Sequence, residues 1–78
     1  MSIKFETIED WCEANKLDYQ KWKKAFYFET REKFESNDSF KRQSGGDEER
    51  YDRLWKNYFQ LMWRGFLHVR NKEYAARN

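Results

Sequence analysis

The C-terminal half of the chain carries apolar residues at steps of three and four, the period of one face of an α-helix. The repeating positions are Tyr51, Trp55, Tyr58, Met62, Phe66 and Val69. Three further apolar residues widen this face: Leu54, Phe59 and Leu61. Asp47 is a suitable N-cap, and no proline follows it. The pattern therefore predicts one helix over residues 48–75, about 42 Å long at the usual rise per residue.

A second helical pattern covers residues 19–35, with Asp18 as its N-cap. One wide face is predicted to hold Tyr19, Trp22, Ala25, Phe26, Tyr27 and Phe34. The opposite face holds Lys21, Lys24, Phe28, Arg31 and Glu35. Phe28 does not fit the division of the helix into apolar and polar faces, because it projects among basic side chains.

Shorter elements precede and separate these two helices. Thr7 begins a capping-box-like sequence, which predicts a first helix over residues 8–15 that stops at Asn15-Lys16, with Asn15 tolerating the left-handed conformation. Residues 1–6 read as an extended arm that tucks Ile3 and Phe5 against the bundle, and residues 36–46 as a loop. We therefore expect a single all-α domain of three helices, the first short, the other two long and antiparallel, and the last the longest.

Composition makes this small domain plausible. Among 78 residues, sixteen are aromatic (seven Phe, five Tyr, four Trp), and large rings can bury enough area to stabilise a core although 38% of residues are charged. The single cysteine, Cys12, allows no intramolecular disulfide and is read as a small buried residue. No signal peptide or membrane-length apolar run is seen, so the expected location is the cytoplasm.

Charge is unevenly distributed behind the net +2. Residues 19–42 carry seven basic and four acidic side chains, and residues 53–78 carry six basic and one acidic. Residues 1–18 and 43–52 are acidic in balance. This segregation indicates an anionic partner for the basic surfaces, although pairing between the acidic and basic segments would account for it equally well.

The basic face of the second helix is the strongest candidate for a binding site. Lys21, Lys24, Phe28 and Arg31 are spaced at three, four and three residues, so they form one stripe. Cations follow a phosphate backbone, and an exposed ring can stack on an unpaired base, which favours RNA over regular duplex DNA. The predicted extensions are Phe40, Lys41 and Arg42 in the loop and Arg53 and Arg64 on the last helix. A solvated helix face is the alternative.

Residues 8–28 also have the rhythm of a helix-turn-helix. The paired Trp11-Cys12, the turn residue Leu17 and the apolar Trp22 and Ala25 resemble such units in transposase-like and phage DNA-binding proteins. The resemblance implies that a recognition helix would present Tyr19, Gln20, Lys23 and Lys24 to DNA. The turn lacks the glycine that these units favour, and the first helix is acidic where it would approach phosphates.

No catalytic, metal-binding or cofactor-binding motif is apparent, so the expectation is a non-enzymatic protein without cofactors. His68 is the only histidine, and Gly45-Gly46 lacks the surroundings of a phosphate-binding loop. An alternative function is a protein–protein inhibitor or adaptor that uses the aromatic helix face and the acidic patch of Glu9, Asp10 and Glu13. The apolar face of the last helix also leaves a homodimer open.

The chain as a whole resembles small bacteriophage early proteins, being short, free of proline, rich in aromatic residues and segregated in charge. Within that group it is similar in size and character to the RNA-binding T-even phage inhibitors of ribonuclease toxins (TifA type). The basic-aromatic stripe and Phe40-Lys41-Arg42 carry the similarity. The resemblance implies counter-defence in the host cytoplasm, with an antitoxin acting through an RNA-bridged complex with a host toxin.

Overall fold

A computed structural model describes residues 5–77, and the side chains of residues 5–76. It contains four α-helices: α1 (Ile8–Ala14), α2 (Tyr19–Glu35), α3 (Asp38–Ser44) and α4 (Glu48–Arg77). The all-α class is confirmed and the last helix is the longest, but the three-helix description is wrong because a further helix occupies the predicted loop. No helix within the described residues is both long enough and apolar enough to cross a membrane.

Side-chain caps begin the helices where the sequence places Thr or Asp. The N–H of Asp10 donates to Oγ1 of Thr7 at 3.1 Å, and the N–H of Gln20 donates to Oδ1 of Asp18 at 3.0 Å. At the start of α4, the N–H of Glu49 donates to Oδ1 of Asp47 at 2.9 Å. Each cap satisfies an N–H that has no partner inside its own helix, so the starts of α1, α2 and α4 follow from local chemistry.

The turn after α1 corrects one detail of the sequence reading. Lys16, not Asn15, adopts the left-handed conformation, with φ 57° against −100° for Asn15. The N–H of Leu17 then donates to the carbonyl of Cys12 at 2.8 Å, and Asn15 Nδ2 donates to the carbonyl of Trp11 at 2.8 Å. The hydrogen bond from Leu17 to Cys12 is the six-to-one bond of a helix C-terminal motif. This motif requires the residue before Leu17 to be left-handed, which is Lys16, one position later than the sequence predicts.

Helix α3 replaces most of the predicted loop over residues 36–46. Its N-cap is Asn37, whose Oδ1 accepts from the N–H of Ser39 at 3.0 Å. The helix ends at Ser44 and is followed by Gly45 as its C-cap, in the left-handed conformation with φ 59°. The ring of Phe40 stacks on that of Phe34 with centroids 4.4 Å apart. Because a single apolar residue anchors the helix, hydrophobic periodicity could not reveal it.

Ring contacts set α2 and α4 antiparallel. Trp22 lies beside Phe66, with centroids 4.9 Å apart, and Phe34 lies beside Trp55 at 5.4 Å. The rings form two groups along the long axis of a molecule that measures 48 × 23 × 17 Å, and the groups meet where Trp55 and Phe59 lie 5.4 Å apart. The closed cluster consists of Phe34, Phe40, Tyr51, Trp55 and Tyr58. The open cluster consists of Trp11, Trp22, Phe26, Phe59, Trp63 and Phe66.

Contacts on α1 and the N-terminal segment complete the bundle. Ile8 and Cys12 of α1 are fully buried. Ala25, which is predicted to face inward on α2, is exposed. The N–H of Phe5 donates to Asn71 Oδ1 at 2.7 Å, and Asn71 Nδ2 donates to the carbonyl of Phe5 at 3.0 Å. Residues 1–4, including Ile3 of the predicted arm, lie outside the described part of the chain.

Candidate nucleic-acid interface

The exposed face of α2 presents an aromatic ring that follows two lysines along the helix. Lys21 and Lys24 are exposed, and no carboxylate among the described residues lies within ion-pair distance of either. Phe28 is 71% exposed, the most exposed of the large apolar side chains described. These three members of the predicted stripe are therefore available to a ligand.

Arg31, the fourth member of the stripe, is engaged within the fold. Its guanidinium carbon lies 5.0 Å from the centroid of the Trp55 ring and 5.6 Å from that of Tyr51. Its Nε donates to Oε1 of Glu35 at 3.2 Å. A cation over aromatic faces is attracted by their quadrupoles. Arg31 therefore covers the closed cluster and is less available to phosphate than the lysines.

The predicted extension through α3 also contains one residue used in packing and two that are exposed. The Phe40 ring is half-buried between Phe34 and Tyr58, so it is occupied by packing inside the fold. Lys41 and Arg42 are exposed in the last turn of the helix. Lys41 lines a cleft whose other charged residues are mostly acidic: Arg31, Glu35, Asp47, Glu48 and Asp52. Those carboxylates would compete with a phosphate for this lysine.

On α4, Arg64 lines a groove between α2 and α4, and Arg53 is exposed on the same side of α4 as Arg64. The groove is lined by Lys23, Phe59, Gln60, Trp63 and Arg64. Its wall is the pair Phe59 and Trp63, stacked at 5.7 Å with 28° between the ring planes. Arg53 is exposed eleven residues before Arg64, on the same side of the helix and about 16 Å away along its axis.

A continuous line of rings connects this groove to the exposed face of α2. From the groove, the centroid of Phe59 lies 5.8 Å from that of Tyr27, and Tyr27 lies 6.2 Å from Phe28. We call the four rings the aromatic track: Trp63, Phe59, Tyr27 and Phe28. Lys23 and Arg64 border it in the groove, and Lys24 lies one turn before Phe28 on the exposed face of α2. Beyond Phe28, the cleft beside this ring also holds the carboxylates of Glu32 and Glu35. The track can offer π-faces to bases while its cations meet the phosphates.

The sequence reading identified Phe28, Lys24 and Arg64 but missed the groove. The sequence pattern places Lys23 only in the helix-turn-helix alternative, and it gives no role to Trp63. The missing information is the register between α2 and α4, since a helical wheel shows one helix at a time. The stacked spacing of Phe59 and Trp63, four residues apart, was the available signal.

The helix-turn-helix arrangement is less complete than its sequence resemblance implies. Tyr19, one of the four residues expected to face DNA, is half-buried, with its ring 6.5 Å from that of Trp63. The Lys23 amino group lies 5.8 Å from the Tyr19 ring centroid. Gln20 and Lys24 remain exposed. The face expected to read DNA is thus partly used for packing.

The candidate chemical groups outside the track are isolated. Burial raises the pKa of the Cys12 thiol, and the carboxylate of Glu9 raises it further, so the reactive thiolate is disfavoured. Among residues 5–77, no group of three or more His, Cys, Asp or Glu side chains could hold a metal ion. Comparison of the chain with protein-family models, curated proteins and solved structures found no match.

Proposed function

We propose that this protein is a non-enzymatic nucleic-acid-binding protein that favours RNA and binds it along the aromatic track. The observation that carries the proposal is the exposure of Phe28 at the end of a line of rings that cations border on both helices. An isolated exposed phenylalanine would have no such neighbours.

The chemistry of the track favours unpaired nucleotides. A base can stack on a protein ring only after it has left its own duplex, and single-stranded loops of RNA supply such bases. Each stacked base contributes about 1–3 kcal/mol with little dependence on sequence. Regular duplex DNA would use the lysines but leave the rings without a partner. The expected order of affinity is therefore single-stranded RNA, then duplex RNA and duplex DNA.

Fluorescence anisotropy with labelled single-stranded RNA, duplex RNA and duplex DNA tests this order. Several phosphate contacts should weaken binding by orders of magnitude between about 50 and 200 mM salt, because binding releases counterions. Strongest binding to duplex DNA would instead support the helix-turn-helix, and absence of binding at the lower salt would favour a protein target.

Two variants separate the ring from the charge. Phe28→Ala should weaken RNA binding by about 1–3 kcal/mol without changing its salt dependence, because it removes a stacking surface only. Lys24→Glu combined with Arg64→Glu should weaken binding and flatten the salt dependence. Arg31 is left unchanged, since its replacement would disturb the closed cluster.

A matched control makes a comparable change of charge away from the track. Arg50 is exposed in the first turn of α4, where a carboxylate is favourable for the helix. Arg50→Glu reverses one charge, as the single variants Lys24→Glu and Arg64→Glu do, and it should bind RNA more tightly than either of them. Loss of binding equal to that of these single variants would show that net charge, and not the track, determines affinity.

The resemblance to phage inhibitors of ribonuclease toxins extends the proposal to a biological role. Under that role, the RNA held on the track bridges this protein to a host toxin and neutralises it. Co-expression with a ribonuclease toxin should restore bacterial growth, and Phe28→Ala should reduce the rescue. Rescue that survives the loss of RNA binding would favour direct contact between the two proteins.

A further inference from the structure

A stripe of apolar residues on α4 is uncovered along the C-terminal half of the helix. Its side chains are Leu61, Met62 and Val69, respectively 65%, 42% and 43% exposed, and Gly65 lies at its centre. We call these four residues the α4 stripe. Towards the N-terminus the same side of the helix continues at Tyr58, which Phe40 of α3 covers at 5.4 Å. Helix α3 therefore covers Tyr58 but leaves the α4 stripe exposed.

Gly65 has no evident role inside the chain. A Cβ atom built on it would meet nothing within 4 Å among the described residues, and the position lies in the middle of a 30-residue helix. Glycine there destabilises a helix by about 1 kcal/mol relative to alanine. Internal packing would be satisfied by a larger residue. A backbone that approaches from outside the chain would explain the absence of a side chain.

We propose that the α4 stripe is the interface of a homodimer in which two copies of α4 pack antiparallel and cross at Gly65. Leu61 and Val69 lie four residues on either side of that glycine. A two-fold axis at Gly65 therefore places Leu61 against the partner's Val69 and the partner's Leu61 against Val69. Self-complementarity of this kind is what a two-fold interface requires.

Charges beside the stripe match under the same axis. Glu29 and Lys33 of α2 line the stripe's groove together with Arg70, and Arg70 pairs with Glu73 at 2.9 Å. The ring contacts place Trp22 beside Phe66 and Phe34 beside Trp55. By interpolation, Glu29 and Lys33 then lie level with α4 positions about five and nine residues before Gly65.

The residues that follow Gly65 carry the opposite charges at nearly the same distances. Arg70 lies five residues after it and Glu73 eight. The two-fold axis therefore places Glu29 level with the partner's Arg70, and Lys33 level with the partner's Glu73. Within one chain Arg70 already contacts Glu73 and lies 4.7 Å from the Phe66 ring centroid, so the pairs across the axis would extend this network. A second copy carries charges opposite to Glu29 and Lys33 at the matching levels, whereas an unrelated helix would match both only by chance. The charges therefore favour a second copy as the occupant.

The extent of the stripe predicts a weak dimer of folded monomers. From Leu61 to Val69 the helix rises about 12 Å. Stable interfaces commonly bury about 800 Å² on each partner, which a stripe of this length reaches only with help from the flanking charges. The aromatic track lies on the other side of the α2–α4 pair, where Arg64 and Lys23 line it. Dimerisation therefore leaves both tracks accessible, and it does not depend on the proposed function.

Sedimentation velocity over about 5–500 µM protein measures the association in the range expected for a small interface. The wild-type chain should shift from monomer to dimer across this range. Gly65→Leu should remain monomeric and melt at a higher temperature, because the space above Gly65 is open within one chain and leucine favours the helix. Gln60→Leu, which adds the same side chain on the other side of α4, should dimerise like the wild type.

Oxidative cross-linking tests the antiparallel geometry. G65C should form a disulfide-linked dimer readily, because the two-fold axis brings the two copies of residue 65 together. L61C alone should not, since its copies would lie about 12 Å apart along the helix, beyond the reach of a disulfide. A mixture of L61C and V69C should link. Cys12 can remain, since it is fully buried, and the wild-type chain serves as the control.

Charge exchange tests the flanking pairs. Lys33→Glu should weaken the dimer, and combining it with Glu73→Lys should restore the association. A chain that stays monomeric throughout the concentration range would overturn the proposal. So would a Gly65→Leu variant that dimerises normally, or an L61C variant that cross-links as fast as G65C.

Discussion

The closed and open clusters are built from the same kind of side chain but have different surroundings. At the centre of the closed cluster, Phe34 is completely buried and Trp55 is 6% exposed, because α3 and the Arg31 guanidinium cover them. The other three rings of the closed cluster are half-buried, as is every ring of the open cluster, so what the open cluster lacks is a buried centre. α1 contributes Trp11 to the open cluster but leaves grooves along α4 uncovered.

The difference shows how one sequence can provide a core and a binding surface from aromatic residues. Rings surrounded on all sides contribute stability. Rings covered on one side keep a face for a ligand while their other contacts hold them in place. The seven residues of α3 make the distinction in this chain, since they cover one end of α4 and stop before the other. Stability and binding should therefore respond to different substitutions.

The largest expected effect is at the centre of the closed cluster. Phe34→Ala should lower the free energy of unfolding by about 3–5 kcal/mol, because it removes a fully buried ring and leaves a cavity. That is a large fraction of the stability of an ordinary small domain, about 5–15 kcal/mol. Urea unfolding followed by circular dichroism measures the change. Phe66→Ala, in the open cluster, should cost less. An equal loss at the two positions would remove the distinction between the clusters.

A smaller effect is expected from loosening the covering helix. Asn37→Ala removes the side-chain cap of α3 and should lower stability by about 1 kcal/mol. Near-ultraviolet circular dichroism should report the loosened packing of Phe40. Because the Phe40 ring of α3 packs on Phe34 and Tyr58 and not on a ring of the aromatic track, RNA binding should be unchanged. A loss of RNA affinity in this variant would show that the two ends of the molecule are coupled.

The smallest expected effect is a pH dependence of the free energy of unfolding that comes from Cys12 in α1. Its pKa is raised in the fold, first by burial and then by Glu9, above the ordinary value of 9.0. The unfolded chain therefore loses this proton at lower pH than the folded chain. The stabilisation is complete below the ordinary thiol pKa and is lost as pH rises through the raised value. The difference in unfolding free energy between wild type and Cys12→Ala should shrink over that window. A constant difference would contradict the assignment.

The features of the fold that local chemistry determines could be read from the sequence. Thr7, Asp18 and Asp47 accept the hydrogen bonds that begin three helices, and the long run of α4 follows from its apolar period. Helix α3 could not be found in this way. Its single large apolar residue, Phe40, is stabilising only because Phe34 is there to receive it.

The candidate site was predictable only in part, for a related reason. The exposure of Phe28 follows from a helical wheel of α2 alone. The engagement of Arg31 with Trp55, and the placement of Lys23 and Arg64 in one groove, depend on how α2 and α4 are aligned. No single-helix pattern contains that alignment. For residues where α2 and α4 meet, the sequence therefore either gives no prediction, as for the groove, or predicts an exposed side chain that the fold engages, as for Arg31.

The paired hydrogen bonds between Phe5 and Asn71 have a kinetic consequence. They join residues 66 apart in the chain, and the ring contact of Phe5 with Tyr74 spans 69, whereas Trp11 and Phe66 are 55 apart and Phe34 and Tyr51 only 17. Loops of that length close with a larger loss of chain entropy than short ones, so we expect this contact to form after the folding transition state. Interactions absent from the transition state slow unfolding and leave folding unchanged. This amide-to-backbone pairing should therefore govern the lifetime of the native state more than the rate at which it is reached.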